Sequence, residues 1–240
     1  MNLMLISLQE FKNGIFLDDF RARHITEILN LENNEKFKFG IIEEEWIYSC
    51  TYKEDTKLFF KESHKIAKSN KLKRIKVIIG LVRPITAKRI IKDLASIGVS
   101  EIIFFNASLS EKSYSCSKLF KEKKYEKYLI EGAMQGGITY MPKIKILNNL
   151  TEALKNVECE NFEHTKILLE KKSNSNLTDI TITTENVAVV IGPERGFTEK
   201  EVNLIKENGF MPYSISSNIL RTETVTIVSS SIVASKILQK

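Results

Sequence analysis

The chain has 240 residues, Lys+Arg 36 against Asp+Glu 30 and a formal charge of +6, long enough for one or two domains with a substantial core. No apolar run approaches a membrane span, and the first residues lack the basic segment of a signal peptide. The cysteines (Cys50, Cys116, Cys159) and histidines (His24, His64, His164) are too scattered for a metal-ligand or disulfide pattern, so a cytoplasmic, metal-free protein is expected.

Residues 1–70 carry closely spaced short strands, at Met4 to Leu8, Gly14 to Leu17, Lys36 to Glu43, Trp46 to Tyr52 and Thr56 to Lys61. One or two helical turns are marked by Ile25, Ile28 and Leu29. That pattern predicts a small β-barrel rather than a βαβ unit. Trp46 reads as core more than as a base-stacking platform.

Between Ser63 and Lys92 there is no Asp or Glu, whereas ten lysines and arginines occur there, Lys73, Arg74 and Arg83 among them. An acid-free block of this kind is the expected footprint of a polyanion partner such as RNA. The plainer alternative is a solvated face in a lysine-rich chain.

Residues 71–240 alternate strands and helices. Val77 to Val82 is an apolar strand, and Pro84 opens a helix with Ala87, Ile90, Ile91, Leu94 and Ile97 on one side and Gly98 as its stop. Glu101 to Phe105 is the next strand. Leu119 to Met134 reads as one amphipathic helix closed by Gly136-Gly137, and Ile167 to Leu169 as a strand ending at Glu170. Repetition of strand, helix and strand predicts a parallel sheet with right-handed crossovers.

The most informative stretch is Asn186 to Thr224. Val187 to Ile191 is a continuous apolar run, as in a strand buried on both faces. Gly192-Pro193 ends it and Gly196 adds a second flexible point. Thr198-x-x-Glu201 is a capping box that starts a helix, Gly209 stops it, and a short strand near Met211 to Ile215 leads into a polar loop. Two loops at the carboxyl ends of neighbouring parallel strands form the usual ligand crevice of an open α/β sheet. The final helix, Glu223 to Leu238, is rich in small residues, which suits either packing on its own sheet or a dimer face.

The segments Ile191-Gly192-Pro193-Glu194-x-Gly196-Phe197 and Ile219-Leu220-Arg221-Thr222-Glu223-Thr224 resemble the carboxyl-terminal signature of the SPOUT RNA methyltransferases, within them the RsmE family. Upstream, Arg23-His24-Ile25-x-x-Ile28-Leu29 is similar to a histidine-led segment of that family's amino-terminal domain, with Asn30 in place of an arginine. The resemblance implies a PUA-like RNA-binding barrel over 1–70 and a SPOUT α/β domain with a deep trefoil knot over 71–240. Spacing alone would never suggest a knot. It further implies S-adenosyl-L-methionine as cofactor, N3 of a uridine in small-subunit ribosomal RNA as acceptor, and a homodimer formed through the carboxyl-terminal helix. A catalytically silent RNA-binding relative is the alternative.

Cofactor contacts are expected from Leu169, Glu170, Ile191, Gly192, Pro193, Gly196, Ile215, Ser216 and Leu220, chiefly through backbone groups, with a hydroxyl from Thr224. Methyl transfer from a sulfonium needs alignment, and a nucleophile whose N–H is lost as the bond forms. Arg221 is the first choice to hold a uracil carbonyl or a phosphate; Glu194 or Glu223 would accept the proton or orient Arg221. Both carboxylates also suit helix caps, Glu223 especially. RNA contacts are expected from Arg23, His24, Lys73, Arg74, Arg83 and Arg195, with a structural role for His24 at least as good. The chain departs from the family pattern at Arg195 and Ser216, where glycines are usual, and at Asn218 and Ile138, where arginines are.

Overall fold

The computed structural model describes residues 3–32, 35–158 and 163–238. Two compact units are found: Met1–Lys71 with Ala133–Met141, and Leu72–Gly132 with Pro142–Lys240.

In the first unit, β1 (Met4–Ile6) is followed by α1 (Leu8–Asn13), β2 (Ile15–Phe16), α2 (Phe20–Arg23), β3 (Phe37–Ile41), β4 (Trp46–Glu54) and β5 (Lys57–Lys68). The five strands form one sheet in the order β1-β3-β4-β5-β2, with β1 and β3 parallel and the other pairs antiparallel. Met4, Ile6, Ile25, Phe39, Tyr52 and Leu58 pack together on its inner side, as in a small PUA-like barrel. The run Met4 to Leu8, expected as one strand, turns helical at Leu8. There Ser7 accepts the Glu10 N–H and Glu10 accepts the Ser7 N–H, a capping box.

Beneath α1, Arg21 is buried. Its guanidinium holds Asp19 at 2.9 Å, donates to the Leu5 carbonyl at 2.8 Å and pairs with Glu10. Burial by itself would weaken that cation; the two carboxylates more than compensate and raise its pKa.

The chain continues with β6 (Lys73–Gly80), α3 (Pro84–Ile97), β7 (Val99–Phe105), α4 (Lys118–Lys121), α5 (Tyr125–Gly136, its end from Ala133 counted with the first unit), β8 (Lys143–Leu147), α6 (Leu150–Glu158), β9 (His164–Leu169), β10 (Asn186–Ile191), α7 (Glu199–Glu207), β11 (Met211–Tyr213) and α8 (Thr222–Leu238), which otherwise make the second unit. All six strands are parallel, in the order β11-β9-β10-β6-β7-β8. Side chains alternate faces along each strand. Ile78, Ile103, Phe105, Val190 and Leu168 meet α6 and α7 through Leu154 and Ile205 on one face. Helices α3 and α8 pack on each other and on the central strands.

The single helix expected over Leu119 to Met134 is broken. Lys123 takes a left-handed backbone, φ 50°, between α4 and α5, with no glycine, asparagine or proline to mark the break.

Candidate active site

The carboxyl ends of β9, β10 and β11 open onto one crevice. Its main part, about 700 Å³, is lined by residues including Leu169, Glu170, Ile191, Gly192, Pro193, Gly196, Phe197, Leu220 and Thr222. A smaller compartment of about 130 Å³ shares Leu169, Glu170, Leu220 and Val225 with it and adds Ile215 and Ser216. Both loops therefore face the same space.

The first loop is a turn closed by the Gly196 N–H donating to the Pro193 carbonyl at 2.8 Å, with Glu194 and Arg195 exposed at its tip. Gly196 has φ +73°, a conformation side chains strain to adopt, and a Cβ on Gly192 would sit 3.1 Å from the Gly196 Cα. Phe197 stacks on Phe105, centroids 6.2 Å apart, which fixes the loop's exit. At its entry, Gly80 at the end of β6 meets Pro193 so closely that a Cβ there would lie 2.5 Å from the proline Cδ.

The second loop is tied down from within and below. Ser216 Oγ accepts the Asn218 N–H at 3.0 Å, so the serine standing where the family has glycine closes a small hydroxyl turn. Ser214 donates its N–H to the Ser175 carbonyl and accepts from the Leu177 N–H. The Glu170 N–H donates to the Tyr213 carbonyl at 2.9 Å, and its carboxylate meets Lys206 of α7 at 3.0 Å.

The carboxylates divide by role. Glu201 is buried and caps α7: Oε2 accepts the Thr198 N–H at 2.9 Å while Oε1 accepts the Ser108 N–H at 2.7 Å, tying the β7 exit to the helix. Burial alone would raise its pKa, but these bonds to the ionised form prevail and lower it. Glu194 accepts the Arg83 N–H at 2.9 Å at the head of α3, so its carboxylate serves as a cap. Glu223 sits in the first turn of α8, where negative charge is favoured.

Of the expected cofactor residues, all except Thr224 line one compartment or the other; Thr224 is exposed on α8, and Thr222 lines the crevice instead. Arg221 and Glu223 line neither. Arg221 is exposed between Leu220 and Thr222, which both do. Sequence reasoning missed Gly80, Thr222, Val225 and the α7 residues Val202, Asn203 and Lys206. The apolar and polar periodicity of α7 was visible, but nothing in the sequence aims one of its faces at the β9 exit.

The acid-free block is partly balanced in space, because several of its cations find acids elsewhere in the chain. Lys76 is buried against Glu101 at 3.2 Å, Arg74 pairs with Glu185 at 2.6 Å and Lys92 with Glu131 at 3.0 Å. Lys73 turns its ammonium onto the Ile97 carbonyl at 2.7 Å, capping the end of α3. In the first unit Arg23 is exposed, but His24 Nε2 is buried and has no partner among the described residues. Burial lowers the His24 pKa, so the ring is protonated less readily than a free imidazole. Asn30 follows the helical turn His24–Ile28 with φ 53°, a left-handed position that asparagine adopts at lower cost than arginine. Ile138, standing where an arginine is usual, is buried.

Among the described residues no group of three or more His, Cys, Asp and Glu side chains is placed to hold a metal, and no helix is long and apolar enough to cross a membrane. Cys50 is buried with its thiol pushed up to about 12, Cys116 is exposed, and Cys159 lies outside the described residues.

A sequence model of the RNA methyltransferase domain matches residues 68–234. The chain is 60% identical over 238 residues to the ribosomal RNA small subunit methyltransferase E 1 of Borreliella burgdorferi, covering 99% of each chain. Against the ribosomal RNA small subunit methyltransferase E of Treponema pallidum the identity is 30%, over 97% of this chain and 90% of the relative. A crystal structure of the Neisseria gonorrhoeae methyltransferase E bound to S-adenosyl methionine shares the fold, with TM-score 0.75 and 18% identity over 99% and 98% of the two chains. With a domain match over most of its length and a full-length relative this similar, the chain belongs to the family of small-subunit ribosomal RNA methyltransferases E.

Proposed function

We propose that this chain methylates N3 of a uridine in small-subunit ribosomal RNA, with S-adenosyl-L-methionine as methyl donor, in the cytoplasm. One observation carries the reading: the exits of β9, β10 and β11 close on a single crevice whose size falls in the roughly 300–1,000 Å³ of small-molecule sites. Its wall suits an adenosyl group, with apolar contact from Leu169, Ile191, Leu220 and Val225, open space above Gly196, and backbone groups along both loops. Glu170 adds a carboxylate beside a cofactor of net positive charge. When bound, that cofactor supplies an electrophilic methyl on a sulfonium.

The chain's own work is positioning and charge stabilisation. Arg221, exposed between two lining residues, holds a carbonyl oxygen of the uracil and stabilises the negative charge that spreads there as N3 gives its proton to solvent water. Glu194 and Glu223 act on the frame, through the heads of α3 and α8. The loops pass through each other as the family's trefoil knot, and a homodimer forms on the exposed stripe Thr224, Val228, Ser231 and Ser235 of α8. The full-length likeness to a named methyltransferase favours turnover over a silent RNA-binding role.

The test is to incubate the protein with methyl-labelled cofactor and small subunits from a strain lacking this modification, then map the label. Label at N3 of one uridine is expected; label on another base, or none, sinks the reading. Light scattering in solution should give the mass of two chains.

A further inference from the structure

The crevice has two chemically different walls. The strand exits contribute apolar side chains and backbone, whereas the flank beside them carries cations from three elements, Lys171 and Lys172 directly after β9, Arg195 in the β10 exit loop and Lys206 on α7. Lys171, Lys172 and Arg195 are exposed, and Lys206 is held at the rim by Glu170 at 3.0 Å. Of the acids nearby, Glu194 is turned to the Arg83 N–H and Glu199 lies in the first turn of α7, where the helix N-terminus favours it. S-adenosylmethionine carries a sulfonium and an ammonium against one carboxylate, so a wall of lysines does not serve it. A polyanion is served.

We propose that this flank grips the phosphodiester backbone of the RNA next to the target nucleotide, with Lys171 and Lys172 as phosphate contacts. The proposal rests on the methyltransferase reading above and adds a subsite to it. The flank is remote in sequence from the acid-free block, and its cations rim the crevice itself.

The test is the full-length K171A/K172A variant, measured for binding to small-subunit ribosomal RNA at several salt concentrations and for S-adenosylmethionine by calorimetry. Each lost single-strand phosphate contact removes about 0.7 from the slope of log K against log salt, so the double variant should bind RNA several-fold more weakly at 0.1 M salt with a slope shallower by about 1.4. Cofactor affinity should stay within about twofold of wild type, and K171R/K172R should restore the slope. An unchanged slope with wild-type methylation intact overturns this inference alone. Cofactor affinity falling in step with RNA affinity also overturns it, since the lysines would then belong to the cofactor. A wild type that transfers no methyl overturns the function and this inference together.

Discussion

Gly80 at the end of β6 and Pro193 at the start of the β10 exit loop occupy adjoining space with no room between them. A Cβ on Gly80 would stand 2.5 Å from the proline Cδ and 2.9 Å from its nitrogen. Neither atom is the end of a flexible side chain, so Gly80→Ala has to push the loop or the strand end. Overpacking of this kind costs about 1–3 kcal/mol. The expected result is a folded protein with a lower melting temperature and at least tenfold weaker S-adenosylmethionine binding by calorimetry. Wild-type cofactor affinity in the variant would show that the loop's position does not matter to the site.

Arg21 holds the first unit together by satisfying Glu10, Asp19 and the Leu5 carbonyl at once. Arg21→Met keeps the stem and removes the fork. Removing one partner of a buried ion pair costs about 3–5 kcal/mol, and partial exposure of Glu10 and Asp19 places this case near the lower end. Urea unfolding followed by the single tryptophan, Trp46, should report a loss of about 3 kcal/mol. Lysine should not rescue it, because a point charge cannot bridge two carboxylates and a carbonyl.

The second unit was largely readable because buried parallel strands appear as unbroken apolar runs and glycine stops helices, as at Gly98 with φ +80°. Elements with mixed signals were not. In β8, Lys143, Ile144, Lys145 and Ile146 alternate at the sheet edge, and α6 was overlooked although Asn149 and Glu152 form a capping pair at its head. The break at Lys123 has no local cause in residue type. At the site, motif residues pointed to the right loops, but the choice of Thr222 over Thr224 depends on where α8 starts. The charge balance of the acid-free block was not readable from the sequence because it is struck in space: Lys76 and Glu101 are 25 residues apart in sequence and 3.2 Å apart in the fold.

Glu201 makes stability depend on acid in a defined direction. Its folded pKa lies below the ordinary 4.5, so the ionised form contributes stability that is complete above about pH 4.5 and lost as pH falls through the folded value. Glu201→Gln keeps the shape but gives up the charge that the Ser108 and Thr198 N–H groups bind. It should cost about 2 kcal/mol at pH 7, and the gap to wild type should narrow as pH drops below 4.5. A gap that stays constant or widens toward pH 3 in parallel melts would contradict the assignment.

Lys73 separates a cation that serves the fold from one that serves RNA. Its ammonium is half-buried against the Ile97 carbonyl at the end of α3, and burial lowers its pKa, so proton binding is slightly disfavoured in the fold. Lys73→Ala should lower stability by about 1 kcal/mol through the lost helix-end bond. It should leave the salt dependence of RNA binding unaltered, since the half-buried ammonium is held at a helix-end carbonyl rather than on a phosphate. Arg74→Ala, which removes only an exposed pair with Glu185, should change stability by less than about 0.5 kcal/mol. A shallower salt slope in Lys73→Ala with unchanged melting would return this residue to the RNA-binding surface.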